Sequence, residues 1–108
     1  MKSVSLQLNV DEAVMLEEAR RKKGFSSKAK LIKFFISELY KNEELKGEFR
    51  DFIINSRLDF DDSITQNYTF IVSDELHNKL CELADEFTLS IKTFLKFLIH
   101  FMYSKTTL

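Results

Sequence analysis

The sequence predicts a mainly α fold made of two fused copies, each headed by a short strand. Three observations carry this. Residues 3–41 and 67–105 align without a gap at an offset of 64. Each copy runs from an alternating segment to an amphipathic helix, a short break and a second, more apolar helix. The chain has no Pro and only two Gly, Gly24 and Gly47, so helix breakers are scarce and a turn-rich all-β fold is disfavoured. In the alignment Leu16 meets Leu80, Glu18 meets Glu82, Ser26 meets Ser90, Lys28 meets Lys92, Leu31 meets Leu95 and Lys41 meets Lys105. Identity is low, and the shared pattern carries the repeat. A unit of about 40 residues cannot bury its own apolar face, but two such units can bury each other's.

Taken in order, Val4, Leu6, Leu8 and Val10 alternate with Ser3, Ser5, Gln7 and Asn9, the period of a strand with one buried face. In the second copy Tyr68, Phe70 and Val72 alternate with Asn67, Thr69, Ile71 and Ser73. Asp11 and Asp74 follow, each suited to cap or begin a helix. The first helices are expected over 11–23, with Leu16 and Ala19 inward, and over 74–87, with Leu76, Leu80, Leu83 and Ala84 inward. Gly24 is a fitting C′ residue for the first, and Thr88 is a weaker stop in the second. Ser26 and Ser90 are expected to cap second helices over 27–42 and 91–105. Their inner stripes are Leu31, Phe34, Phe35 and Leu39, and Leu95, Leu98 and Ile99.

The connector follows the first copy. Leu45, Phe49, Phe52 and Ile53 fall at helical spacing, which predicts a further helix over 43–57 ahead of an acidic loop from Asp59 to Gln66. Phe94, Phe97 and Phe101 stand where the first copy has Lys30, Lys33 and Ser37. A stripe that is wet in one copy is greasy in the other, so something must cover it: the connector helix or another chain. The organisation is thus a first unit over 1–42, a partly helical connector over 43–66 and a second unit over 67–108.

Composition bounds the function. A chain of 108 residues is short for an enzyme with a deep pocket, while eleven Phe can furnish a substantial core. Cys81 is the single cysteine, so no internal disulfide is possible, and a cytoplasmic location is expected. The most apolar stretch, Leu89 to Tyr103, is interrupted by Lys92, Lys96 and His100 and falls short of the roughly 20 residues that span a bilayer. No membrane association is expected. Net charge is −1, unevenly spread: +4 over residues 1–41, −4 over 42–66 and −1 over 67–108. A basic first half is either an electrostatic footprint for an anionic partner or a solvated face.

Strand, helix, a turn with Gly and Ser, and helix, all within about 40 residues, resembles the ribbon-helix-helix fold of the MetJ/Arc superfamily. The residues that carry the likeness are Ser3 to Leu8 before Asp11-Glu12, then Gly24-Phe25-Ser26-Ser27-Lys28 before Leu31-Ile32. The second copy offers Thr69 to Leu76, then Leu89-Ser90-Ile91-Lys92. The resemblance implies that the strands pair as a two-stranded antiparallel ribbon roofing the helices, with Val4, Leu6, Leu8, Tyr68, Phe70 and Val72 inward. Here one chain carries both halves, so the expected fold is a tandem ribbon-helix-helix pseudo-dimer. The covalent tandem is similar to transcription regulators of archaeal filamentous viruses, which implies a viral protein working in the host cytoplasm.

That resemblance also implies a function: sequence-specific binding of double-stranded promoter DNA, with the ribbon in the major groove. It assigns base reading to Ser3, Ser5, Gln7, Asn67, Thr69 and Ile71. Gln7 and Asn67 can bond adenine in bidentate fashion, Ser5 and Thr69 can donate or accept, and Ile71 can meet a thymine methyl. Solvent exposure alone accounts for the Ser and Thr residues, though not for an outward Ile71. Phosphate contacts fall to Ser26, Ser27, Lys28, Ser90 and Lys92 at the starts of the second helices, with Lys2, Arg21 and Lys23 nearby; the serines equally serve as plain N-caps. Arg20 to Lys23 correspond to Ala84, Asp85, Glu86 and Phe87, so the first half should grip the backbone more tightly and the site should be asymmetric. Unlike many family members, this chain has Lys2 as the only cation near either strand.

Nothing else in the sequence points to catalysis or a cofactor. His77 and His100 lack the spaced Cys or His of a zinc site, Cys81 is placed as a core residue, and Glu17–Glu18 and Asp61–Asp62 are adjacent pairs that do not aim at one point. There is no Gly-rich phosphate loop and no nucleophile elbow, so no enzyme is expected. Self-association on DNA is expected, since one ribbon reads few base pairs. Two competing readings are an antitoxin-like module, whose acidic connector wraps a protein partner, and a structural protein that has kept the fold alone.

Overall fold

A computed structural model gives the architecture and describes residues 1–56 and 65–106. The order is β1 (Lys2–Asn9), α1 (Val10–Lys23), α2 (Lys28–Lys41), α3 (Glu43–Asn55), β2 (Thr65–Val72), α4 (Asp74–Glu86) and α5 (Ile91–Thr106). The chain is mainly helical, with β1 and β2 forming a two-stranded antiparallel sheet.

Alternation along each strand sorts the sheet into two faces. Val4, Leu6, Leu8, Phe70 and Val72 are buried, and Tyr68 is half-buried. The register sets Lys2 opposite Val72, Ser5 opposite Thr69 and Gln7 opposite Asn67. Ser5 and Thr69 are also the residues that the offset of 64 equates, and their hydroxyls share a hydrogen bond of 2.8 Å.

Below the sheet the principal helix pairs run between the copies: α1 packs on α5 and α2 on α4. Likewise β1 lies against α5 and β2 against α2. Leu16, Ala19, Leu31, Ile32, Phe35, Ile36 and Leu39 from the first copy meet Leu80, Leu83, Ala84, Leu95, Leu98, Ile99 and Met102 from the second in one continuous core. The inner stripe of α2 differs from the expected one. Ile32 and Ile36 are buried, whereas Phe34 is 43% exposed and stacks at the surface, with ring centroids 5.3 Å from Phe25 and 5.9 Å from Phe35.

The connector helix α3 covers the greasy stripe of α5. Phe49 is fully buried and meets the rings of Phe87, Phe94 and Phe101 edge-on at 5.0, 5.4 and 5.1 Å. Phe52 adds a contact to Phe101 at 5.5 Å. Most of the acidic loop expected over Asp59–Gln66 lies outside the described residues. Thr65 and Gln66 belong to β2.

The helix ends keep the repeat closely. Asn9 caps α1 by a capping box: its side chain accepts from the Glu12 N–H at 2.8 Å and Glu12 accepts from the Asn9 N–H at 3.0 Å. Ser73, its equivalent, caps α4. Asp74 begins α4 as expected and Asp11 is the second residue of α1; both sit in first turns, where the helix dipole favours them, and neither caps. Ser27, not Ser26, caps α2, while Ser90 accepts from the Thr93 N–H at the start of α5 as expected. Gly24 takes a left-handed φ of 78°, and the equivalent Thr88 takes φ 59°. The backbone keeps one geometry at both turns although only one carries the residue suited to it.

Candidate nucleic-acid interface

The outer face of the sheet gathers the six residues assigned to base reading. Ser3, Ser5, Gln7, Asn67, Thr69 and Ile71 are all exposed. They lie as facing pairs: Ser3 with Ile71, Ser5 with Thr69, Gln7 with Asn67. The face therefore has a direction. Two carboxamides stand at one end, a serine and an aliphatic side chain at the other, and bonded hydroxyls in the middle. Ile71 is 56% exposed, where a β-branched apolar side chain gains nothing from burial.

The residues assigned to phosphate lie at helix ends and are unequal. At the start of α2, Ser26 is exposed, Ser27 is occupied as cap, and Lys28 is half-buried. Lys28 Nζ is 3.8 Å from Glu17 and 6.0 Å from the centre of the Tyr68 ring. Tyr68 neighbours Asn67, so this cation is at the carboxamide end of the sheet. Ser27 accepts from the Lys30 N–H at 3.1 Å, so one first-turn donor of α2 is already satisfied. Burial raises the Tyr68 phenol above its ordinary pKa, which keeps it protonated at neutral pH. At the start of α5, Lys92 is exposed, and Ser90 also bonds the Thr93 hydroxyl at 3.0 Å.

The basic end of α1 is partly self-neutralised. Arg20 bonds Glu17 through Nε at 3.1 Å and the Phe25 carbonyl at 2.8 Å, tying the end of α1 to the turn before α2. Its hydrogen bond holds the Glu17 carboxyl below the usual range. Arg21, Lys22 and Lys23 are exposed, and Lys23 Nζ stands 5.8 Å from the Phe35 ring centre. Lys2 is exposed at the far end of β1, two positions from Val4 and away from Gln7.

Sequence reasoning missed one polar site. Glu12 is 1% exposed and bonds Lys96 Nζ at 2.8 Å through Oε1 and His100 Nε2 at 2.9 Å through Oε2. Burial raises its pKa, but the hydrogen bonds from Lys96, the Asn9 backbone and His100 outweigh that and leave the carboxyl below its ordinary value. The signal is in the sequence: Lys96 and His100 are one helical turn apart within the apolar stretch of α5 and read as interruptions of it. Cys81 is half-buried, with Sγ 3.7 Å from His77 Nδ1. Among the described residues no group of three or more His, Cys, Asp or Glu side chains could hold a metal ion, and no helix is long and apolar enough to cross a membrane.

No protein-family model, no curated protein and no solved structure matches this chain.

Proposed function

We propose that this protein binds double-stranded DNA in a sequence-specific manner and regulates transcription from the promoter it occupies. The observation that carries the reading is the two-faced ribbon: its apolar side is buried, and Ser3, Ser5, Gln7, Asn67, Thr69 and Ile71 all stand outward. A two-stranded ribbon has the width of the major groove, and such side chains can reach base edges there. In this reading the chain is a ribbon-helix-helix pseudo-dimer. The register supports it, because the facing pair Ser5–Thr69 is the pair related by the repeat, as an approximate two-fold axis through that point requires. The crossed pairing of α1 with α5 and α2 with α4 supports it too.

The direction of the outer face sharpens the expected target. Gln7 and Asn67 suit adenine at one end, and Ile71 suits a thymine methyl at the other. Lys28 adds a phosphate contact at the carboxamide end and Lys92, its repeat equivalent, one at the start of α5, while the unlike ends of the outer face make the chain dock in one orientation on a non-palindromic site. Adjacent chains on DNA extend a ribbon that reads few base pairs. An antitoxin-like role would need the connector to offer an apolar face to a partner, and Phe49 on α3 is already committed to this chain's own core.

The test is a footprint of the purified protein on its own upstream DNA at two salt concentrations. Protection confined to a short sequence and weakened by salt is expected. Protection that spreads evenly along the duplex, or none at low salt, would overturn the reading.

A further inference from the structure

The set of buried Glu12 and Lys96 with half-buried His100 has no counterpart in the other half of the molecule. Subtracting or adding the repeat offset of 64 turns Glu12 into Leu76, Lys96 into Ile32 and His100 into Ile36. Ile32 and Ile36 are buried, and Leu76 packs against the same core. Where α1 meets α5, a carboxylate meets an ammonium and an imidazole; where α4 meets α2, aliphatic side chains occupy the equivalent positions. Equivalent positions in the repeat thus carry opposite chemistry.

Resting on the pseudo-dimer reading, we propose that these three residues are a pairing lock: the first unit accepts only a second unit as its partner, and each unit rejects its own kind. Two first units brought together would set each Glu12 against Ile32 and Ile36. Two second units would set each Lys96 and His100 against Leu76. Each homotypic pair twice places a charged group of this set against aliphatic side chains and leaves Glu12 or its α5 partners without the contact made between α1 and α5, which costs more than any surface ion pair returns. A gene encoding two similar units in one chain faces this sorting problem on every folding event, because both copies turn an apolar strand face and apolar helix stripes inward. Buried polar pairs that fix register and partner choice in helical assemblies work by the same physics.

The lock can be reversed without changing composition. Exchanging Glu12→Leu with Leu76→Glu makes both homotypic pairings chemically matched and the intrachain pairing mismatched at both ends. Position 5 reports the outcome, because it faces its own repeat equivalent: Ser5 meets Thr69 in the intrachain pair and would meet Ser5 of a second chain in a homotypic one. In a full-length Cys81→Ser background, Ser5→Cys is refolded and oxidised with glutathione disulfide. With the natural lock it should give little disulfide-linked dimer. With the Glu12→Leu/Leu76→Glu exchange, linked dimer should rise at least about tenfold, since breaking a buried ion pair is worth more than one decade in an equilibrium. A folded exchange variant that cross-links no more than its parent overturns the proposal. If the exchange variant does not fold, adding Lys96→Ile, His100→Ile, Ile32→Lys and Ile36→His moves the whole lock to the other half. Recovery of a folded chain without cross-linking supports the lock, and failure to recover overturns it. A Ser5→Cys/Thr69→Cys control should close within one chain; its failure would count against the pseudo-dimer itself and is read separately.

Discussion

Thr88 is a β-branched residue in the left-handed region, at φ 59°. That conformation costs of order 1–2 kcal/mol in any L-residue with a Cβ. The turn holds because the Leu89 N–H bonds the Ala84 carbonyl at 2.9 Å, as the Phe25 N–H bonds the Arg20 carbonyl at 3.1 Å in the first copy. Thr88→Gly should therefore stabilise the fold by about 1 kcal/mol, read by urea denaturation. The reciprocal Gly24→Ala should destabilise by about as much; a Cβ there meets nothing within 4 Å, so the penalty belongs to the backbone and not to crowding.

Glu12 gives a residue-scale pH dependence. Its folded pKa lies below its ordinary value, so it contributes stability above that ordinary value and loses it as pH falls through the folded one. Glu12→Gln should weaken the fold by about 3 kcal/mol at neutral pH, because Lys96 keeps its buried position and loses its carboxylate. The gap between wild type and variant should shrink as pH drops below the carboxylate range. Urea midpoints at pH 7 and pH 3 check this, and a gap that stays constant would rule out the assigned role of Glu12.

Among the elements, α3 is the one that belongs to neither copy. Its sequence carries the reason it forms: Asn42 accepts from the Leu45 N–H at 3.0 Å, and Glu43 and Glu44 sit in the first turn. At its contacts with α4 and α5 it adds ion pairs of the buried Lys46 with Glu43 and Glu86 at 3.1 and 3.4 Å, and of Lys105 with Glu48 at 2.9 Å. The larger contribution is the Phe49 ring within its cluster of aromatics. Phe49→Ala should destabilise by about 3–5 kcal/mol in chemical denaturation, while Ile54→Ala, at a position 71% exposed, should change little.

Elements with a strong period were legible in sequence, and those decided by partners were not. Val4, Leu6 and Leu8 announce both a strand and its inner face, because alternation alone settles which side is apolar. Phe49 and its helical neighbours announce α3, while the greasy Phe94 and Phe101 stripe required a cover without naming it. Phe34 misled because a large aromatic ring at the edge of a stripe reads as core, and β-branched Ile32 and Ile36 took the inward positions instead. Asn9 and Ser27 cap beside Asp11 and Ser26, which read as equally suited, since neighbouring polar residues of equal capping ability differ only in backbone angles. Glu12 escaped notice because a carboxylate in a first turn is ordinarily solvated, and its two partners lie on α5, more than eighty residues away. The outward residues of the ribbon could be placed from the period, but which of them face each other is fixed only by register.

At the scale of the whole molecule, one asymmetry recurs at three levels. The first copy is basic, the second carries the apolar stripe covered by α3, and the buried lock joins one end of each. In the proposed pseudo-dimer an approximate two-fold relation of the backbone is combined with side chains that break it. Selection of bound duplexes from a randomised pool, run with wild type, Gln7→Ala and Lys28→Ala, tests this account most directly. Wild type should enrich one short non-palindromic motif. Gln7→Ala should loosen positions at a single end of that motif, and Lys28→Ala should keep the motif, weaken all sequences alike and lower the salt slope by ~1. An absence of any enriched motif, or a uniform loss on every sequence from Gln7→Ala, would contradict it.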